Sequence, residues 1–177
     1  MSRRQHRERR QPALHMIHVL RWMTLGAALT VLAAACAGTA TSPTPQPSDL
    51  ASAPLQVTLG GRVLSLEASL WRDFMPISPP DGKPLIAAAR VKSDNGSPVP
   101  ATIVAETLWV LNGNETWSAT PREERPRSDT APVYEVVARD GPKWSPGAMV
   151  DVVVRLRDGD GRTALLRVAR QPIQATY

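Results

Sequence analysis

The chain is poor in the residues most enzymes use. It has one cysteine, Cys36, and three histidines, His6, His15 and His18, all of which lie upstream of that cysteine. Past residue 36 there is no imidazole and no thiol. That excludes Ser-His-Asp and Cys-His nucleophilic catalysis and the zinc sites built on His and Cys, and it removes the usual ligands of copper. A lone cysteine cannot close an intrachain disulfide. Carboxylates, three lysines (Lys83, Lys92 and Lys143) and hydroxyls remain for chemistry, and no catalytic residue, metal or cofactor is expected.

Long apolar runs are also lacking. The apolar run from Trp22 to Ala35 has 14 residues and no charge, whereas a membrane-spanning helix needs roughly 20. Its length fits the apolar core of an export signal, about 7–15 residues before a small-residue cleavage site. Arg3, Arg4, Arg7, Arg9, Arg10 and Arg21 precede it, with Glu8 the only acid. Ser2-Arg3-Arg4 is followed by charged residues, not by the apolar run that a twin-arginine signal needs. Met16 opens MIHVLRWM, itself a well-proportioned basic start, so translation from Met16 stays an open alternative.

Leu32-Ala33-Ala34-Ala35-Cys36 resembles the lipobox of bacterial lipoprotein precursors, with Ala33 where leucine is usual. The resemblance implies a diacylglycerol thioether on Cys36, cleavage before it and acylation of the new amino group. Two or more acyl chains anchor a protein stably where one does not. The expected organisation is a signal peptide over 1–35, a lipid-bearing Cys36 with a spacer over 36–54, and a folded domain over 55–177. The expected location is the outer side of the cell membrane, or an outer membrane. Ala37 stands where an aspartate resembling an inner-membrane retention signal would be, which favours the outer membrane where there is one. A plain secretory signal cut near Ala35 and an uncleaved N-terminal anchor are the alternatives.

Charge reads differently once residues 1–35 are set aside. The whole chain carries 21 basic and 16 acidic residues, net +5. Six of those bases and one of those acids lie in the signal, so 15 of each remain and the exported part is formally neutral. No nucleic-acid partner is expected. Residues 37–54, AGTATSPTPQPSDLASAP, are small, polar and proline-rich, a composition that buries too little to fold and serves as a disordered spacer.

From Leu55 onward roughly 120 residues remain, enough for one domain with a core. No window sustains a 3.6-residue period, whereas short β-rich runs bounded by turn residues recur. Strands are expected at Leu55 to Leu59, Arg62 to Trp71, Leu85 to Lys92, Thr102 to Leu111, Glu115 to Ser118, Val133 to Ala138, Met149 to Leu156 and Thr163 to Val168. In the second, Leu64, Leu66, Ala68 and Leu70 alternate with Ser65, Glu67 and Ser69. Gly60-Gly61 and Asp158–Gly161 read as hairpin turns, Asn112-Gly113 as a type I′ turn, and the tail RQPIQATY as a final edge that frays. Asp158-Gly159-Asp160-Gly161 is similar to the start of a calcium loop, but no later acid completes it. The fold class is all-β: about seven to eight strands with short turns, paired antiparallel in a sandwich.

Asp94-Asn95-Gly96-Ser97-Pro98-Val99-Pro100 followed by Thr102-Ile103-Val104 resembles the turn and strand of bacterial Ig-like repeats in surface proteins. Val152 to Leu156, the Asp158–Gly161 turn and Thr163 to Val168 look like the closing hairpin of such domains. The resemblance implies a single Ig-like sandwich. Trp71-Arg72-Asp73-Phe74-Met75-Pro76 is also similar to a segment of small secreted bacterial proteins, which implies no activity.

Four tryptophans follow the signal. Trp109 and Trp71 sit in alternating strands and are expected in the core. Trp117 and Trp144 flank loops and are the better surface candidates. Between them, residues 119–132 form a charged loop with Arg122, Glu123, Glu124, Arg125 and Arg127. Loops held on rigid scaffolds concentrate binding residues, though mixed-sign charge is also what a solvated loop carries. The sequence points to a non-catalytic, membrane-tethered module that contacts another envelope protein or a cell-wall glycan through Trp117, this loop and Trp144. The alternative is a carbohydrate-binding or carboxylate-dependent hydrolase accessory domain, drawing on Asp73, Glu123 and Glu124. A spacer without a ligand is the third reading.

Overall fold

The computed structural model describes residues 44–177. Cys36, the signal and most of the spacer lie outside the described residues. A short helix is followed by eight strands: α1 (Pro47–Ala51), β1 (Gln56–Leu59), β2 (Arg62–Asp73), β3 (Leu85–Ser93), β4 (Val104–Asn112), β5 (Glu115–Ala119), β6 (Val133–Gly141), β7 (Met149–Arg157) and β8 (Thr163–Thr176). Among the described residues no helix is long and apolar enough to cross a membrane.

The strands run β5-β4-β7-β8-β2-β3-β6, with β1 added to β2. The two-residue hairpin connections come from glycine. Gly60 and Gly61 both have positive φ, 56° and 71°, and Leu59 pairs directly with Arg62 across them. The β4–β5 turn differs from its expected form. Asn112 pairs with Glu115, so Gly113 and Asn114 make the turn. Only Gly113 of the two has positive φ, which is the II′ pattern, not I′.

The expectation of a wholly antiparallel arrangement is corrected by β8. Thr163–Pro172 pairs antiparallel with β7, while Ile173–Thr176 pairs parallel with Leu70–Asp73 of β2. The tail expected to fray is therefore the strand that joins the two halves of a curled, mixed sheet. Arg170 makes the bend, with φ 56°. Asp151 holds it: Oδ1 accepts the Arg170 N–H at 2.8 Å and Oδ2 accepts Arg167 Nη1 at 2.8 Å. A β-bulge in the β7–β8 pairing falls between Val150 and Val152, flanking Asp151. A bulge there lets one strand turn from one neighbour to the next.

The curl brings inward-facing residues of both halves into one core. Leu64, Leu66 and Leu70 of β2, Ala87, Ala89 and Val91 of β3, and Tyr134, Val136 and Ala138 of β6 pack with Leu108, Val110, Val152, Val154, Leu156 and Leu166. The period of two predicted for β2 is observed, because one face of each strand must leave water.

A second, smaller cluster lies on the other face of β4 and β7. Trp109 is buried there with Val153, and Leu50 and Ala53 close over them. Trp109 is thus buried as expected, but under the N-terminal segment instead of in the main core. The spacer accordingly ends earlier than its composition suggests, and residues 47–54 are folded. Pro47 opens α1, the Gln46 N–H is received by Asp49 Oδ2 at 2.9 Å, and the Asp49 N–H returns to Gln46 O at 2.9 Å, which together close the start of so short a helix. Trp71 is half-buried.

Candidate functional site

The charged loop 119–132 is tied to β6. After β5 the chain crosses to that strand, where Arg122 and Val137 exchange both main-chain hydrogen bonds, at 2.9 and 2.8 Å. Two residues on, Glu124 receives Arg139 in a two-pronged contact, Nε at 2.7 Å and Nη2 at 3.0 Å. The hydrogen-bonded Arg139 guanidinium holds the Glu124 carboxyl below the usual range, and the carboxylate in turn raises Arg139. Planar forks matched in this way fix geometry as well as charge.

Arg127 anchors the far end of the loop. Its guanidinium lies over the Tyr134 ring, 3.7 Å from the centroid, and Nη2 donates to the carbonyls of Ala101 at 2.8 Å and Ile103 at 2.5 Å. Glu123 Oε1 accepts the Arg127 N–H at 2.9 Å. Tyr134 is buried, which pushes its phenol up, while its oxygen accepts the Ala105 N–H at 3.1 Å. Arg127 and Glu123 are therefore committed to holding the loop down.

The seam between β5 and β6 opens into a surface hollow of about 350 Å³, lined by Thr120, Arg122, Glu124, Val137, Arg139 and Asp140. Asp140 has φ 65° at its rim. Among the described residues Arg122 and Arg125 enter no ion pair, and both side chains are exposed. The hollow thus holds Arg122 and Asp140 beside the paired Glu124 and Arg139, with Arg125 outside its lining.

The tryptophans are placed differently. Trp117 and Trp144 are half-buried and pack against the main core. The Trp117 ring lies on Gly141, where a Cβ would come within 3.0 Å of Cη2 and Cζ3. The structure therefore brings Arg122, Glu124 and the end of β6 together, sets Trp117 beneath them, and places Arg125 outward. It does not present Trp117 and Trp144 as an exposed pair.

Sequence reasoning passed over Arg72. It is 4% exposed and has four main-chain acceptors. Nε donates to Lys83 O at 3.0 Å, Nη1 to Lys143 O and Trp144 O at 3.1 Å each, and Nη2 to Asp81 O. The guanidinium also stacks on Phe74 at 4.9 Å. The parity of β2 contains the signal: Arg72 continues the inward row of Leu64, Leu66, Ala68 and Leu70. Around it Lys83 binds Asp73 at 2.8 Å and Lys143 binds Asp81 at 2.6 Å. These lysines hydrogen-bond the two carboxyls and hold them below the usual range. In the Asp158–Gly161 turn, Asp158 Oδ1 accepts the N–H groups of Asp160 and Arg162 at 3.0 and 2.9 Å, as a hairpin turn requires. Among the described residues no group of three His, Cys, Asp or Glu gathers where it could hold a metal ion.

No protein-family model, curated protein or solved structure matches the chain.

Proposed function

We propose that the chain is the precursor of a lipid-anchored envelope protein whose folded part is a non-catalytic contact module. In this reading the curled sheet is a variant of the Ig-like sandwich in which β8 serves both halves. The observation that carries the reading is the pinned seam of loop 119–132. Its ion pairs and Arg127 are spent on holding one conformation, and Arg122 and Arg125 are left facing outward. A surface ordered before binding costs less to dock.

The hydrolase alternative is less well supported. A glycosidase needs one carboxyl with a raised pKa as its acid, whereas Asp73 and Glu124 are both lowered by cations, and Glu123 is engaged with the Arg127 main chain. A sugar-stacking platform needs an open aromatic face, and Trp117 and Trp144 pack against the core.

The test is crosslinking in intact envelopes through a photoreactive residue at Thr120. A discrete crosslinked product is expected, and Arg122→Glu with Arg125→Glu reduces it at least tenfold. If both charge reversals leave the product undiminished, the seam is not the contact surface. Saturable quenching of tryptophan fluorescence by cell-wall fragments would favour the carbohydrate reading instead.

A further inference from the structure

The N-terminal segment is docked on a defined face of the domain. Leu50 and Ala53 fill the depression formed by Trp109 and Val153, with Leu111 and Leu165 packed around it. Arg167 fastens the segment twice: its main-chain N–H donates to Pro54 O at 2.9 Å and its Nε to Ala53 O at 3.0 Å. Upstream, Thr44, Pro45 and Gln46 border a hollow of about 480 Å³ whose floor includes Arg155, Thr163 and Leu165. The chain thus leaves the domain across the outer face of β4, β7 and β8. The outer face of β2, β3 and β6, bearing Glu67, Arg90, Lys92 and Glu135, lies on the opposite side of the core. The inward positions of those strands are their alternating partners.

Ten backbone steps lead from Cys36 to Gln46 in the sequence. Fully extended, such a length spans at most about 35 Å. Were the segment undocked, the first fixed residue would be Gln56 of β1. The reach would then be about 70 Å, enough for the domain to turn any face to the bilayer.

We infer that residues 46–54 are an orientation latch, which keeps the β4–β7–β8 face turned to the lipid and the β2–β3–β6 face turned away from it. This rests on the lipid anchor at Cys36 proposed above. The latch halves the greatest possible distance between the lipid and the first fixed residue, from about 70 to about 35 Å. A partner reaching in from beyond the membrane therefore meets the β2–β3–β6 side.

The lipidated protein lends itself to a direct test, because lipid occupies the only native thiol and an introduced cysteine is labelled alone. Thr163→Cys and Glu135→Cys place a donor dye on the two faces, in vesicles of phosphatidylethanolamine and phosphatidylglycerol carrying a headgroup acceptor. Energy transfer from position 163 is expected to exceed that from 135 at least twofold. Leu50→Asp should bring the two within about 20% of one another by releasing the latch. A twelve-residue Gly-Ser insertion after Ser42 leaves the latch docked and is expected to erase the difference by lengthening the tether. It serves equally if Leu50→Asp does not fold. Protein that fails to float with the vesicles overturns the lipid anchor and this inference with it. Protein that floats with equal transfer from both positions overturns the latch alone. A difference that survives the insertion means that the domain surface itself grips lipid, which also refutes the latch.

Discussion

Arg72 offers the sharpest measurement of how this fold is held together. Its guanidinium joins β2 to two loops, residues 74–84 through Asp81 and Lys83, and residues 142–148 through Lys143 and Trp144. Burying a charge without a contacting carboxylate is costly unless every donor is used. Here main-chain carbonyls supply the acceptors. Arg72→Met keeps most of the volume and removes the charge, but it leaves four carbonyls without that donor. Each orphaned acceptor costs about 1–3 kcal/mol when it cannot reach water. Both loops are near the surface and can relax, so the expected net loss is about 3 kcal/mol, not the sum. For a domain of this size that corresponds to a fall in Tm of about 10–15 °C. Arg72→Lys keeps the charge but cannot span both loops, and is expected to lose about 2 kcal/mol. The assay is urea unfolding of the Cys36→Ser protein followed by tryptophan fluorescence, with limited proteolysis of the two loops. An Arg72→Met loss under about 1 kcal/mol, with both loops still protected, would refute the reasoning.

Stability should fall on acidification. Asp73, Asp81 and Glu124 all titrate lower in the folded chain, so their contribution is complete above the unfolded carboxylate range near about pH 4. It is lost as the pH drops through the folded values. Thermal melts of Asp73→Asn/Asp81→Asn/Glu124→Gln are expected to depend less on pH below about 5, and salt should narrow the gap from wild type. Gly141→Ala puts a Cβ 2.9 Å from Leu85 Cβ and 3.0 Å from the Trp117 ring. Calorimetry should register a loss of about 1–3 kcal/mol, and Gly141→Ala with Trp117→Leu should regain part of it. Mass spectrometry of the mature protein should find an acylated Cys36 at the N-terminus, with precursor accumulating when the lipoprotein peptidase is inhibited. An unmodified N-terminus beyond Cys36 would instead mean a soluble secreted domain.

The amino-acid sequence determined the β class, six of the eight strands to within two residues, and the alternating face of β2. These are local matters, since a period of two and a pair of glycines act over neighbouring residues. It also ruled out histidine and thiol chemistry downstream of Cys36, because composition needs no fold. Three features were decided only by the tertiary structure. The tail Arg170–Thr176 carries weak local signals and is a strand because β2 has an open edge beside it and Asp151 bends the chain toward that edge. Residues 47–54 look like spacer until the depression over Trp109 and Val153 gives Leu50 and Ala53 somewhere to bury. The loop from 119 to 132 reads as solvated charge, yet Arg139 and Tyr134, distant in sequence and near in space, fix which of its cations hold the loop and which face out. Periodicity reports which side of a strand leaves water, whereas partners brought together by the curl of a sheet leave no mark on either segment alone.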